Sequence, residues 1–357
     1  MKDYTQKIVY LGIDVHKKTY AVAAICDNEI VKRDTLEAYP DKLVSYIKKY
    51  FAGAQVYTAY EAGFCGFHLH RYLEANQIPN IVVHAASIEV SARDRVKTDK
   101  RDALKISQQL SSGKLKGIKV PSEEREQRRT LTRTRDAILG AKQRAGNQLK
   151  SLLFLHGLMP PEDDTKVCKS WIKRVQGYEL PGDLKYCVNM YAQLWLDLEA
   201  KLAEMYKKIE EQAKEDPQID AVYRMVPGIG PLSARILSNE LGDMRHFRSE
   251  KALFSFTGLT PSEHSSGEHR WLGRISRQGS SLLRKILVQI AWRAITQDKR
   301  LAEVFERISK KAGKKKAIVA VARKLIGCIR SCFMNGEVWR TNAPAGEEPV
   351  SVSAEAC

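Results

Sequence analysis

Four acidic residues in the first third of the chain have the types and spacing of a metal-dependent phosphodiester site. Asp14 ends an apolar run in GIDVHK, Glu61 follows a second such run in YEAG, and Asp99 and Asp102 stand three apart in KTDKRDA. A three-residue spacing puts two side chains on one face of a helix. Carboxylates at the ends of adjacent strands and on a covering helix can converge on one point. Hard divalent cations take oxygen ligands, and such ions can activate a nucleophile and stabilise a leaving oxygen in phosphodiester cleavage. Magnesium is the expected ion, with manganese as the alternative, held by Asp14, Glu61, Asp99 and Asp102. Lys97, Lys100 and Arg101 flank these acids and are expected to hold phosphate oxygens. His16 is expected to neighbour the site without ligating, and His84 to be a structural residue at a strand end.

The elements that must position these acids read as α/β. Strands are expected at 7–14, 19–26, 29–35, 55–60 and 80–84, and helices at 43–50, 67–75 and 98–110. The order β-β-β-α-β-α-β-α argues for a layered fold with a mixed sheet. Beyond Pro121 strand signals vanish. Segments 122–155 and 188–215 read as two long helices, a helical arm of coiled-coil character, separated by the Pro- and Gly-containing stretch 156–183. Residues 218–335 read as mostly helical around an irregular centre at 257–279, and the tail from Asn342 is Pro-, Gly-, Glu- and Ser-rich. The expected domains are 1–115, 116–216 and 217–340, followed by a flexible tail at 341–357.

Charge points to a polyanion. The 357 residues carry a formal net charge of +17. Lysine and arginine exceed aspartate and glutamate by 10 over residues 91–150 and by 12 over 261–330, while the remainder is slightly acidic. Clustered cations of this kind attract phosphates and release counterions. On the basic helix RRTLTRTRDAILGAKQRAGNQLKSLL, Arg128, Arg135 and Lys142 recur at heptad spacing and are expected to contact nucleic acid. Lys314, Lys315 and Lys316 form a run that fits either backbone contact or simple solvation. The seven cysteines include no CxxC pair, which argues against a zinc knuckle and for free thiols in a reducing compartment. No signal peptide or membrane-spanning run is evident, so a cytoplasmic protein is expected, nucleoid-associated when active.

In the last third, MVPGIGPLSARIL reads as helix, tight turn, helix. It fits equally a helix-hairpin-helix element, whose backbone N–H groups face a phosphate, and a plain helical hairpin. FTGLTPSEHSSGEHRWLGRISRQGSSLLRKIL follows at 256–287. Arg270, Arg274, Arg277 and Arg284 stand in and around it and are expected to contact phosphate. Trp271 suits stacking on a base or packing in a core.

GIDVHK, YEAG and KTDKRDA, in that order, together with the GLTP, SSG and GRISRQG segments, resemble the IS110 family of transposases. This includes its IS1111 branch and the related Piv-type DNA invertases. The resemblance implies a ribonuclease H-like N-terminal domain of the Holliday-junction-resolvase type, with Asp14, Glu61, Asp99 and Asp102 as its acids. It also implies a serine nucleophile in the C-terminal domain, best matched by Ser266, with Ser265 and Ser276 as alternatives. The expected partners are DNA, an element-encoded guide RNA and further copies of the chain as a dimer or tetramer. Neither site alone accounts for strand exchange, so both are expected to act in one assembled recombinase. The rival readings are a structure-selective junction nuclease that uses the acids alone, and a nucleic-acid-binding protein with a dead catalytic fold.

Overall fold

The computed structural model describes residues 3–89, 98–159, 166–263, 271–336 and 339. The chain divides into two compact units, Met1–Ser122 and Glu123–Cys357.

The first unit is a five-stranded mixed sheet with helices on both faces. β1 (Ile8–Val15), β2 (Thr19–Cys26) and β3 (Glu29–Glu37) form an antiparallel meander. Asp27 and Asn28 form the β2–β3 turn, both at positive φ, a conformation that these short polar side chains tolerate better than most. α1 (Pro40–Tyr50) leads to β4 (Gln55–Glu61), which pairs with β1 in parallel, and α2 (His68–Ala75) leads to β5 (Asn80–Val83), which pairs with β4 in parallel. The sheet order is β3-β2-β1-β4-β5. After a short 3-10 turn (Ala85–Ser87), which the His84 ring caps by accepting from the Ala86 N–H, comes α3 (Asp99–Ser111).

Strand alternation divides the sheet's two faces. Val9, Leu11, Ile13, Val22 and Ala24 share a core with Leu43, Ile47, Leu69 and Leu73 of α1 and α2. The opposite face is floored by small residues: Ala21 and Ala23 lie against Ala103, and Ala59 against Ile106, both partners belonging to α3.

The second unit begins with α4 (Glu123–Leu155), followed by α5 (Lys169–Gln176) and α6 (Gly182–Glu215). α4 and α6 run antiparallel, with Arg128 beside Glu215, Arg135 beside Tyr206 and Lys142 beside Glu199. The 156–183 stretch, expected only to separate the long helices, contains α5. Its Trp171, Ile172 and Val175 join Leu149, Leu153, Val188 and Trp195 in a small core at one end of the pair. α7 (Pro217–Arg224), α8 (Pro231–Leu241), α9 (Glu250–Thr257), α10 (Ser281–Gln297), α11 (Lys299–Ala312) and α12 (Lys314–Asn335) enclose a larger core. Between α9 and α10 lies a two-stranded ribbon, β6 (Pro261–Glu263) with β7 (Leu272–Ile275).

The hairpin is continuous with this body. On α4, Arg125, Arg129 and Arg133 recur at four-residue spacing and dock on the end of α8. Arg129 donates to the carbonyls of Asn239 and Glu240 at 3.2 and 2.8 Å. Arg133 pairs with both Glu240 carboxylate oxygens at 2.7 and 2.8 Å. The expected boundary at 216/217 therefore falls inside one unit, and the division lies at 122/123.

Candidate active site

The approach of α3 to β1 sets the geometry of the acidic site. A Cβ built on Gly12 would stand 2.1 Å from the Ala103 carbonyl oxygen and 2.5 Å from the Ser107 nitrogen. Both are backbone atoms, so only glycine permits the helix to lie this close. Asp14, two residues on, points to the same face of the sheet as Gly12. The first turn of α3, with Asp99 and Asp102, lies over this strand end. Acids are favoured there by the helix dipole.

His16 joins the two elements. Its Nε2 lies 3.0 Å from Asp14 Oδ2 and 3.3 Å from Asp99 Oδ1. One ligand atom from each of Asp14, His16 and Asp99 can be chosen so that all three lie within 4.8 Å of one another. His16, expected only to neighbour the site, is thus part of the cluster. The Asp14 carboxyl is raised above the ordinary carboxylate range chiefly by its burial. The His16 hydrogen bond opposes that shift, and the charges of Asp99 and Asp102 add to it.

Asp102 stands one turn along α3, and its Oδ1 accepts from Lys105 Nζ at 3.3 Å. Glu61 is the last residue of β4, exposed. The parallel register pairs Ile13 with Tyr60, so Glu61 continues the ladder beside Asp14, on the α3 face with Ala59. The four expected acids therefore share one end of the sheet, with Asp14 and Asp99 in the tight cluster and Glu61 and Asp102 around it.

The expected phosphate-binding residues are placed variously. Lys97 lies outside the described residues. Lys100 is exposed and within electrostatic reach of β3. Burial disfavours the charged Asp34 carboxylate there, but Tyr46 and Lys32 hold it below the ordinary range, and Lys100 contributes to the same shift. Arg101 is exposed.

Arg128, Arg135 and Lys142, expected to face nucleic acid, line the α4–α6 seam. Arg128 pairs with Glu124 at 2.7 Å and Glu215 at 3.3 Å. Arg135, 6% exposed, donates to the Tyr206 hydroxyl and lies 4.9 Å from the centre of its ring. Lys142 pairs with Glu199 at 2.5 Å and lies 4.7 Å from the Trp195 ring centre.

Ser266, Ser265, His264, His269 and Arg270 lie outside the described residues, between β6 and β7. The segments that flank them in the sequence are tightly built. A Cβ on Gly258 would meet the Gln278 carbonyl oxygen at 2.0 Å, and one on Gly279 the Phe256 carbonyl oxygen at 2.1 Å. Both glycines have positive φ, 67° and 94°. Arg284 Nη1 donates to the carbonyls of Thr257, Gln278 and Gly279 at 3.4, 3.5 and 3.1 Å, so it pins this frame from α10. Arg274 and Arg277 are exposed, and Trp271 is 71% exposed, away from any core. Ser276 is built into the turn: its N–H donates to the Thr260 carbonyl at 2.8 Å, and its Oγ accepts from the Gln278 N–H at 3.4 Å.

Between α7 and α8, Gly228 faces protein. Its Cβ would meet Ala294 N and Arg293 Cβ of α10, each at 2.9 Å. Gly230, two residues on, has no atom within 4 Å of a built Cβ, so the turn packs on α10 through one glycine and stays open at the other.

Known proteins resemble this chain along most of its length. The profile of the DEDD transposases of the IS110 type matches residues 11–157, and that of the IS116/IS110/IS902 transposase family matches residues 221–306. The chain is 28% identical to the transposase of insertion sequence IS1533 from Leptospira borgpetersenii, over 80% of this chain and 84% of that one. It is 24% identical to the IS1111A transposase of Coxiella burnetii, over 96% and 93%. To the y4rJ protein of Sinorhizobium fredii it is 30% identical, over 74% of each. The chain belongs to the IS110 family of transposases, enzymes that cut and rejoin DNA.

Proposed function

We propose that this transposase recombines the DNA of its insertion sequence with an acidic metal site in the first unit and a serine nucleophile, Ser266, in the second. The observation that carries the metal half is the convergence of Asp14, His16 and Asp99 beneath α3. The carboxylates of Asp14 and Asp99 suit a magnesium or manganese ion, with Glu61 and Asp102 at the same sheet end to complete the set and the His16 imidazole hydrogen-bonded beside them. The burial that disfavours a charged Asp14 is itself a reason for a cation there. A cation so held supplies charge neutralisation at a phosphodiester. The sheet order, with an acid on β1, another on parallel β4 and two on a covering helix, supports a ribonuclease H-like unit.

In this reading Ser266 Oγ attacks the scissile phosphorus and loses its proton, while the bond to the neighbouring deoxyribose oxygen breaks and leaves a free hydroxyl. The serine ester conserves the phosphodiester energy until a partner strand's hydroxyl displaces it. The exposed Arg274 and Arg277 serve this reading as phosphate-binding cations. The α4–α6 pair serves as a coiled-coil arm between copies of the chain. RNA encoded beside the gene selects the DNA, which the basic segments support through charge. Among the described residues no helix is long and apolar enough to cross a membrane.

Strand exchange between defined element ends tests the metal site. Asp14→Ala and Asp102→Ala are expected to abolish it while DNA binding persists, and excess EDTA to abolish it in the wild type. Full exchange by either variant, or in EDTA, would overturn the acidic-site assignment.

A further inference from the structure

Between β4 and α2 the chain turns through residues 62–67, directly after Glu61. Three side chains of this turn, Ala62, Cys65 and Phe67, pack on the core. The turn is also tied by hydrogen bonds. The Ala62 N–H donates to the Val83 carbonyl at 2.7 Å, and the Gly66 N–H to the Gly63 carbonyl at 3.3 Å. The Tyr60 hydroxyl, from within β4, donates to the Gly66 carbonyl at 3.0 Å. Phe64 alone among the aromatic side chains of this turn is held outward. At 73% exposed it is the most exposed large apolar side chain among the described residues of the first unit. A ring kept in water forgoes the burial that ordinarily stabilises it. It stands three positions after Glu61, a span of at most about 11 Å.

Given the reading of the acid cluster as the catalytic centre, on which this inference rests, we propose that Phe64 is a substrate-stacking residue. Its ring packs on a nucleobase flanking the phosphate held at the acids and keeps that nucleotide off its neighbours in the duplex. Aromatic–base stacking is tolerant of sequence because every base has a π-face, which suits an enzyme that must accept different flanking bases. The anchored turn supplies the rigidity such a contact needs, and the neighbouring Gly63, with no atom closer than 3.9 Å to a built Cβ, leaves the approach open.

The test uses the full chain, its flanking transcript, and a synthetic nicked duplex carrying the element's end, with 2-aminopurine at successive positions around the nick. Wild type and Phe64→Trp are expected to change the emission at one or two adjacent positions, and Phe64→Ala to abolish that change with its thermal midpoint intact. Strand exchange by Phe64→Ala should fall roughly 5- to 150-fold, the range expected when one base–aromatic stack is removed. Removing the flanking base should slow wild type similarly and Phe64→Ala no further. Emission in Phe64→Ala that matches wild type at every position, or losses from the abasic site and the substitution that multiply, would overturn the proposal. Emission is read on uncleaved DNA, so it reports stacking independently of the acids. Full exchange by Asp14→Ala would instead remove the acid-cluster reading.

Discussion

Gly12 and Asp14 shape the acidic end of the first unit in different ways. Gly12 lets α3 descend onto the sheet, and the atoms that a side chain would meet are backbone atoms of Ala103 and Ser107. Gly12→Val is expected to cost about 1–3 kcal/mol of stability through overpacking and to abolish strand exchange by displacing Asp99. Denaturant unfolding checks the first, and unchanged stability would contradict the close approach. Asp14 is held with its proton affinity raised by burial. The folded state thus binds that proton more tightly than the unfolded chain. This contribution to stability is present at pH below the ordinary carboxylate range and is lost as pH rises through the folded value. At neutral pH the charged carboxylate therefore weighs against the fold, so Asp14→Asn is expected to raise the metal-free thermal midpoint. Magnesium should raise the midpoint of wild type, by mass action on the folded state, and not that of the variant. Equal magnesium shifts in both would contradict ligation by Asp14. The gathering of the four acids at one end of the sheet was legible because residue type and spacing encode it. The part of His16 was signalled only by its two-residue spacing from Asp14, which puts both on one strand face. Phe64 carried no signal, since sequence does not say which apolar residue of a turn stays outside.

Helix α4 shows where periodicity stops being informative. Heptad spacing groups Arg128, Arg135 and Lys142 on one face but does not say whether that face meets phosphate or another helix. The structure turns it toward α6, where tyrosine, tryptophan and carboxylates receive the cations. Arg135→Ala is expected to lower the thermal midpoint with little effect on nucleic-acid affinity, whereas Arg144→Ala, on the exposed side, should do the reverse. A binding assay beside a thermal scan separates the two outcomes. Removing Arg133 alone leaves the fully buried Glu240 carboxylate short of a partner, and should cost on the order of 2 kcal/mol. That is less than the 3–5 kcal/mol of a wholly buried pair, because Arg133 is half-exposed. Replacing both by Met and Leu should recover most of the loss, and a double variant as unstable as the single one would contradict this. The start of α6 at Gly182 was hidden because Pro181 and Gly182 read as breakers, although both are tolerated where a helix begins. The short α5 was hidden for want of length.

Charge and division into units are properties of the whole chain. The net charge of +17 is legible without a structure, whereas the division at 122/123 depends on the docking of Arg125, Arg129 and Arg133 on α8, which no composition shift marks. Lys310, Lys311, Lys314, Lys315 and Lys316 are all exposed around the α11–α12 turn. Replacing them by glutamine is expected to flatten the salt dependence of DNA binding by about 0.9 in log–log slope for each phosphate no longer neutralised. An unchanged slope would leave them as a solvated surface. In the proposed reaction the acids, the metal and Ser266 act in one strand transfer, and a nicked substrate that traps the enzyme on its cleaved end tests this most directly. With magnesium, wild type is expected to form a covalent protein–DNA adduct that peptide mapping places on Ser266, while Ser266→Ala and Asp14→Ala form none. An adduct that persists in either variant, or cleavage that yields only free ends, would contradict it.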